Sequence, residues 1–158
     1  SNGGFMSYRL ACERGSRFAA VTVFAAADYL DEAACVPATP VSILHMHGDA
    51  DEVIAYGGGS VVRPTGGTLP PYPSARTSVE RWAGYAGCDP TPVAGPGRDL
   101  TIERDGHTEV LETEVLDFTA CDPGLDVSFW TMRGEGHGPP FHPDALDQVL
   151  DWMLEHTR

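Results

Sequence analysis

The chain has 158 residues, with 10 Lys and Arg against 23 Asp and Glu and a formal net charge of −13. That length suits one domain with a real core, and the acidic balance excludes the basic footprint that nucleic acid or an anionic membrane surface requires. No apolar run reaches the length of a membrane span, and the 18 Gly and 13 Pro are spread among loops rather than gathered in tracts, which marks a loop-rich globular chain.

In chain order, residues 1–12 read as a turn running into a helix. Phe5, Met6, Tyr8, Leu10 and Ala11 fit a mostly buried helix, and Gly15 ends it. Residues 18–27, Phe-Ala-Ala-Val-Thr-Val-Phe-Ala-Ala-Ala, have the small and β-branched composition of a strand at the centre of a parallel sheet. A loop with a short helical turn covers residues 28–40. Residues 41–47 form a second central strand, in which Val41, Ile43 and Leu44 supply a β-branched apolar run. The strand breaks at His47-Gly48, and Asp49 and Asp51 follow before Val53-Ile54 resumes an apolar stretch.

Residues 57–73 carry Gly-Gly-Gly, Gly-Gly and Pro-Pro, which predict no regular structure; a loop of that length is characteristic of a lid, a binding loop or a disordered segment. Residues 74–86 form a helix with Val79, Trp82, Ala83 and Ala86 on its apolar face. Residues 100–104 and 109–117 alternate around Asp105-Gly106, a hairpin signal. Residues 127–132 make a further strand, 137–143 a Gly/Pro/His loop, and 144–156 a closing helix with Leu146, Val149, Leu150 and Met153 on one face. The alternation of strands and helices predicts an α/β fold with a mostly parallel sheet flanked by helices and an added β-hairpin. Only about three strands are available to the main sheet, fewer than is usual, so the chain is expected to be the carboxyl-terminal part of a larger domain.

Cys12, Cys35, Cys88 and Cys121 show no C-x-x-C pair and no metal-finger spacing. An even number in a loop-rich chain suits two disulfides in an exported protein, secreted or periplasmic, the alternative being four buried thiols in a cytosolic one. Neighbour pairing, Cys12 with Cys35 and Cys88 with Cys121, is the preferred connectivity.

Three short segments carry candidate chemistry. Ser1-Asn2-Gly3-Gly4 places a hydroxyl at the start of a helix, whose first N–H groups favour an oxyanion. Gly3 and Gly4 provide the small side chains that a strained strand-to-helix turn around a nucleophile needs, although Ser-Asn-Gly is only the second half of the G-x-S-x-G pattern. A Ser-Asn start is also what tag cleavage leaves. An amino-terminal nucleophile whose own amine is the base is a further alternative, disfavoured by the strand–helix alternation.

Asp51 is the candidate acid because it lies just beyond a strand end, where open α/β sheets place their chemistry. Asp49 competes for that role or caps the turn. His137, flanked by Gly134, Gly136 and Gly138 after the last strand, is the candidate base. His142 is its rival, while His45, His47, His107 and His156 lack comparable context, and the histidine spacings match no H-E-x-x-H metal motif. Ser, then Asp, then His is the order of an α/β-hydrolase triad.

Taken together, Ser1-Asn2-Gly3-Gly4-Phe5-Met6-Ser7-Tyr8-Arg9-Leu10-Ala11-Cys12, Ile43-Leu44-His45-Met46-His47-Gly48-Asp49-Ala50-Asp51, Tyr56-Gly57-Gly58, the segment from Trp82 to Cys88, and Gly134-Glu135-Gly136-His137 resemble the secreted polyhydroxybutyrate depolymerase and feruloyl-esterase-like α/β-hydrolases, nearly end to end. The resemblance implies that Ser1 is the nucleophile, Asp51 the acid and His137 the base, with the backbone N–H of Asn2 in the oxyanion hole. Where that family commonly has Trp-Pro after the histidine, this chain has Gly138-Pro139-Pro140. The resemblance implies ester hydrolysis without a cofactor, on hydroxyalkanoate, feruloyl or acetyl esters, polymeric or soluble. It also implies that the strands before the nucleophile, with their oxyanion-hole loop, lie upstream of Ser1, so that the 158 residues alone are expected to have little or no esterase activity. Two other classes remain: a fragment or degenerate hydrolase domain kept for binding, and a serine peptidase of the same fold.

Overall fold

The computed structural model describes residues 1–62, 65–102 and 111–156. Helix α1, Asn2–Arg14, is followed by strand β1, Ala20–Phe24, and strand β2, Ser42–Gly48. Helix α2, Ala75–Tyr85, precedes the short strand β3, Val93–Ala94, and strands β4, Thr113–Phe118, and β5, Val127–Met132; helix α3, Ala145–Leu154, closes the chain. One five-stranded sheet has the order β1-β2-β5-β4-β3. β2 pairs in parallel with β1 on one side and with β5 on the other, and β5-β4-β3 continue antiparallel.

The period-2 alternation of the strands explains the layers. Ile43 of β2 and Val127 and Phe129 of β5 face the helices α1 and α2, where they meet Tyr8, Ala11, Val79, Trp82 and Ala83. Leu44, Met46, Trp130 and Met132 point the opposite way and meet Ala145 and Trp152 of α3. Both faces are therefore covered, and every residue of β2 and β5 is buried, as central parallel strands require. This is the α/β class expected of the sequence. Ser74 caps α2 by accepting from the Thr77 N–H.

The antiparallel edge differs in detail from the expected hairpin. The Asp105-Gly106 turn lies outside the described residues. Arg98 and Thr113, equally distant from that dipeptide, do pair antiparallel, and Val93–Ala94 extends the pairing along β4. Leu100 and Thr101, however, donate their backbone N–H groups to the buried carboxylate of Glu112, at 3.0 and 3.2 Å. A side chain has taken the place of a backbone ladder there, and Thr101 bridges to Phe141 instead. The edge is part of the main sheet, which is why three strands were too few.

The described residues of the 57–73 stretch are also less irregular than expected. Gly59 and Tyr72 exchange backbone hydrogen bonds, and Leu69 donates to Val61, so the loop folds back on itself. Cys12 is bonded to Cys35 and Cys88 to Cys121. The first ties α1 to the loop after β1, and the second ties the end of α2 to the turn between β4 and β5. Among the described residues no helix is long and apolar enough to cross a membrane.

The Cys88–Cys121 bond closes a sequence separation of 33 residues, for which loop entropy gives a stabilisation of about 2–4 kcal/mol. Replacing both cysteines by Ser should lower the unfolding free energy by that amount in urea titrations, with the far-UV spectrum retained; an unchanged midpoint would show that the bond constrains nothing.

Candidate active site

The parallel register of β2 and β5 sets Gly48 opposite Met132, so the loops that follow leave the same edge of the sheet side by side. They touch through backbone. Asp49 N–H donates to Met132 O at 3.1 Å and Ala50 N–H to Glu135 O at 3.0 Å. The junction is tight enough to demand glycine: a Cβ on Gly48 would stand 2.2 Å from Glu135 O and 2.7 Å from Gly136 O.

Of the two acids in this loop, Asp49 is exposed and its Oδ1 accepts the Gly134 N–H at 2.6 Å, a loop-to-loop tie. Asp51 turns inward. Its Oδ1 accepts the N–H groups of Val53 and Ile54 at 2.8 and 2.9 Å, and its Oδ2 lies 2.8 Å from His137 Nδ1. The Asp51 side chain is fully buried, whereas that of His137 is 26 % exposed. With Nδ1–H donated to Asp51, the other nitrogen of His137, Nε2, is the one left to act on a reacting group. The loop that brings His137 there is braced by Glu135, whose carboxylate accepts from Thr101 Oγ1 at 3.2 Å. His142 instead pairs with Asp144 on the surface, and His156 bonds Asp126 and Trp152 O.

Ser1 caps α1, and its carbonyl accepts the Phe5 N–H at 3.1 Å. Its amino group donates to Phe24 O at 3.1 Å. Asp51 and His137 are thus in direct contact, whereas no hydrogen bond joins the Ser1 hydroxyl to His137 among the described residues. Gly4 is needed at this turn: its Cβ would lie 2.6 Å from Ala26 Cβ and 2.7 Å from Phe24 O, while one on Gly3 would meet nothing within 4 Å.

Ser1 and Asn2 line a cleft of about 700 Å³ together with Phe5, Ile54, Val61, Leu69 and Tyr72, and neither Asp51 nor His137 is among its lining residues. Val61, Leu69 and Tyr72 come from the folded-back loop of residues 57–73, so that loop forms a wall of the cleft.

Beneath Asp51 lies a group that sequence reasoning passed over. His45 and His47 of β2 are buried, on the same face of the strand, and their rings stack 5.5 Å apart. His47 Nε2 lies 2.8 Å from Ile54 O and 3.4 Å from Asp51 Oδ2, His45 Nε2 lies 3.2 Å from His47 Nδ1, and Tyr8 Oη lies 2.7 Å from His45 Nδ1. The signal was the spacing of two in a strand, masked by the rarity of imidazoles in a fully buried run. Burial holds His45 well below, and His47 below, the ordinary imidazole value.

No family model matches the chain. It is 28% identical over 158 residues to a Piromyces equi protein named "Feruloyl esterase B", covering 98% of this chain and 26% of that one. It is 32% identical over 151 residues to a Nocardia uniformis subsp. tsuyamanensis protein named "Putative esterase NocK", covering 89% of this chain and 40% of that one. The chain therefore spans between a quarter and two-fifths of the length of these esterase-named relatives.

Two outcomes test this geometry. Gly48→Ala should cost about 1–3 kcal/mol in urea unfolding, because the new methyl overlaps the Glu135 carbonyl, and should break the Asp51–His137 contact seen by histidine NMR; an unperturbed variant would mean the junction is not tight. For the histidines, the unfolded chain takes up protons below about pH 6.5, where folded His45 and His47 do not. Their contribution to stability is complete above that pH and is lost as the pH falls, each adding a slope of up to about 1.4 kcal/mol per pH unit. Urea midpoints at pH 7.5, 6.5 and 5.5 should decline accordingly; a flat profile would mean that the two rings protonate in the folded state.

Proposed function

We propose that the chain carries the acid, base and nucleophile of a serine carboxylic-ester hydrolase. In this proposal Ser1 Oγ attacks the ester carbonyl while His137 Nε2 takes its proton. The tetrahedral intermediate then collapses, the C–O bond to the alcohol breaks, and His137 returns the proton to the departing oxygen. Water, deprotonated by the same nitrogen, releases the acid from Ser1 and restores the hydroxyl. Asp51 fixes His137 in the tautomer that leaves Nε2 unprotonated and stabilises the imidazolium formed at each step. The backbone N–H of Asn2, the residue after the nucleophile, donates to the oxyanion. No cofactor enters any step.

The observation that carries this proposal is the 2.8 Å contact between Asp51 Oδ2 and His137 Nδ1, with the opposite carboxylate oxygen occupied by two backbone N–H groups. A carboxylate held on both oxygens cannot rotate away from the imidazole, which is what an orienting acid must do. The likeness to esterase-named proteins supports the same chemistry. The apolar wall of the cleft beside Ser1 favours an apolar or aromatic acyl group, such as a hydroxycinnamoyl ester, over acetyl. Oligomeric hydroxyalkanoates are a second candidate substrate. Export, to a secreted or periplasmic location in keeping with the two disulfides, belongs to the same proposal.

In the natural gene product that contains these residues, Ser1→Ala should abolish turnover of p-nitrophenyl esters, and Asp51→Asn should lower kcat by about 10⁴ through loss of the correct tautomer. The feruloyl ester should be preferred to the acetyl ester in kcat/KM, and the corresponding anilide should be cleaved far more slowly. Full activity in Ser1→Ala would overturn the nucleophile assignment, and a preference for the anilide would point to a peptidase.

A further inference from the structure

The buried run Tyr8–His45–His47 admits only one arrangement of protons when its histidines are neutral, and that arrangement has a direction. Its end is fixed by Ile54 O, which can only accept, so His47 Nε2 must carry the proton. A neutral His47 then offers Nδ1 as an acceptor. His45 must fill it from Nε2–H at 3.2 Å, which leaves His45 Nδ1 to accept from the Tyr8 hydroxyl at 2.7 Å. Every donor faces an acceptor, and every N–H points toward the loop of Asp51.

We propose that Tyr8, His45 and His47 are positioning residues: a one-way chain of hydrogen-bond donors that clamps the Asp51 turn and so sets the carboxylate that orients His137. The inference rests on the reading of Asp51 and His137 as the acid and base of one site. His47 holds the turn through Ile54: it donates to Ile54 O at 2.8 Å, while the N–H of the same Ile54 donates to Asp51 Oδ1 at 2.9 Å, and His47 Nε2 stands 3.4 Å from Asp51 Oδ2 without a hydrogen bond between them. Tyr8 extends the chain to α1, the helix that begins at Asn2, so the nucleophile's helix and the acid's loop are joined through the core. Aligned donors in a low-dielectric interior polarise one another, so a change at Tyr8 is felt at Asp51.

The surroundings support the direction of the chain. His45 is enclosed by Tyr8, Phe129 and His47, and His47 packs edge-on against Tyr56. Their burial disfavours an imidazolium at either ring and outweighs, at His47, the hydrogen bond to Ile54 O and the attraction of Asp51. A cationic His47 would reverse the chain, since both of its nitrogens would then donate.

The test begins on the resting protein with ¹⁵N-labelled histidine. Long-range ¹H–¹⁵N spectra at pH 7.5 should show His45 and His47 as single neutral Nε2–H tautomers. A doubly protonated His47, or an Nδ1–H form of either ring, would overturn the proposal. In the natural gene product that contains these residues, His45→Leu, which removes the link, should shift the Asp51–His137 hydrogen-bond proton signal and lower kcat about tenfold or more, with KM changed less than twofold. His45→Gln, which retains one donor and one acceptor, should recover most of that loss. A folded His45→Leu variant with unchanged kcat and an unchanged proton signal would also overturn the proposal. Should His45→Leu fail to fold, Tyr8→Phe is read in the same way: it must move the His47 Nε2–H resonance, which Tyr8 does not touch, and an unmoved resonance counts against the chain. These spectra do not depend on ester cleavage. Failure of the esterase function would appear separately, as turnover that survives Ser1→Ala.

Discussion

The structure depends on how closely two strand ends approach each other. β2 and β5 are parallel neighbours, and the backbones that leave them are in contact at Gly48, where even a methyl group would overlap Glu135 O. Everything at the candidate site follows from that junction. It places the 49–54 turn against the 133–137 loop, gives Asp49 a backbone donor at Gly134, and leaves Asp51 facing His137. An acid and a base on adjacent strand ends need no flexible reach to meet, and their geometry is inherited from the sheet register.

The second constraint is electrostatic. β2 buries two imidazoles among apolar neighbours, a costly placement unless every polar atom is paired. The pairing here runs through Tyr8, His45, His47 and Ile54 O without a conflict of donors. An apolar strand would pack as well, at no risk of unpaired groups. The polar one links the helix that starts at Asn2 to the turn that holds Asp51. Glu112 is less fully paired: its Oε1 gathers Leu100 N, Thr101 N and Thr113 Oγ1 and so diverts two residues from the sheet, while its buried Oε2 has no hydrogen-bond partner among the described residues.

Much of this was legible in the chain. The β-branched run of β2 and the Trp82 face of α2 obey local rules, and the structure follows them closely, whereas β1, expected at the centre of the sheet, lies at its edge with alternate residues buried. Neighbour pairing of the four cysteines also holds. Other features have no local signature. Val93–Ala94 is a two-residue, exposed strand that exists only because β4 offers it an edge. The diversion of Leu100 and Thr101 depends on a glutamate in the tertiary structure. His45 and His47 follow the period of a strand and bond each other, yet what ties the pair to α1 is Tyr8, reached across 37 residues of sequence. At the candidate site, the strand-end positions of Asp51 and His137 were legible, and the place of Asp51 after His47-Gly48 favours it over Asp49; which carboxylate faces inward has no local signature.

The central claim is that Ser1, His137 and Asp51 act as one ester-cleaving unit, and its most direct test is covalent. A fluorophosphonate reagent given to the natural gene product, followed by peptide mass spectrometry, should modify Ser1 stoichiometrically. The rate should collapse in His137→Ala, where nothing takes the proton from the hydroxyl. Modification elsewhere, or labelling of Ser1 that is indifferent to His137, would contradict the claim and leave the Asp51–His137 pair as a structural tie between two loops.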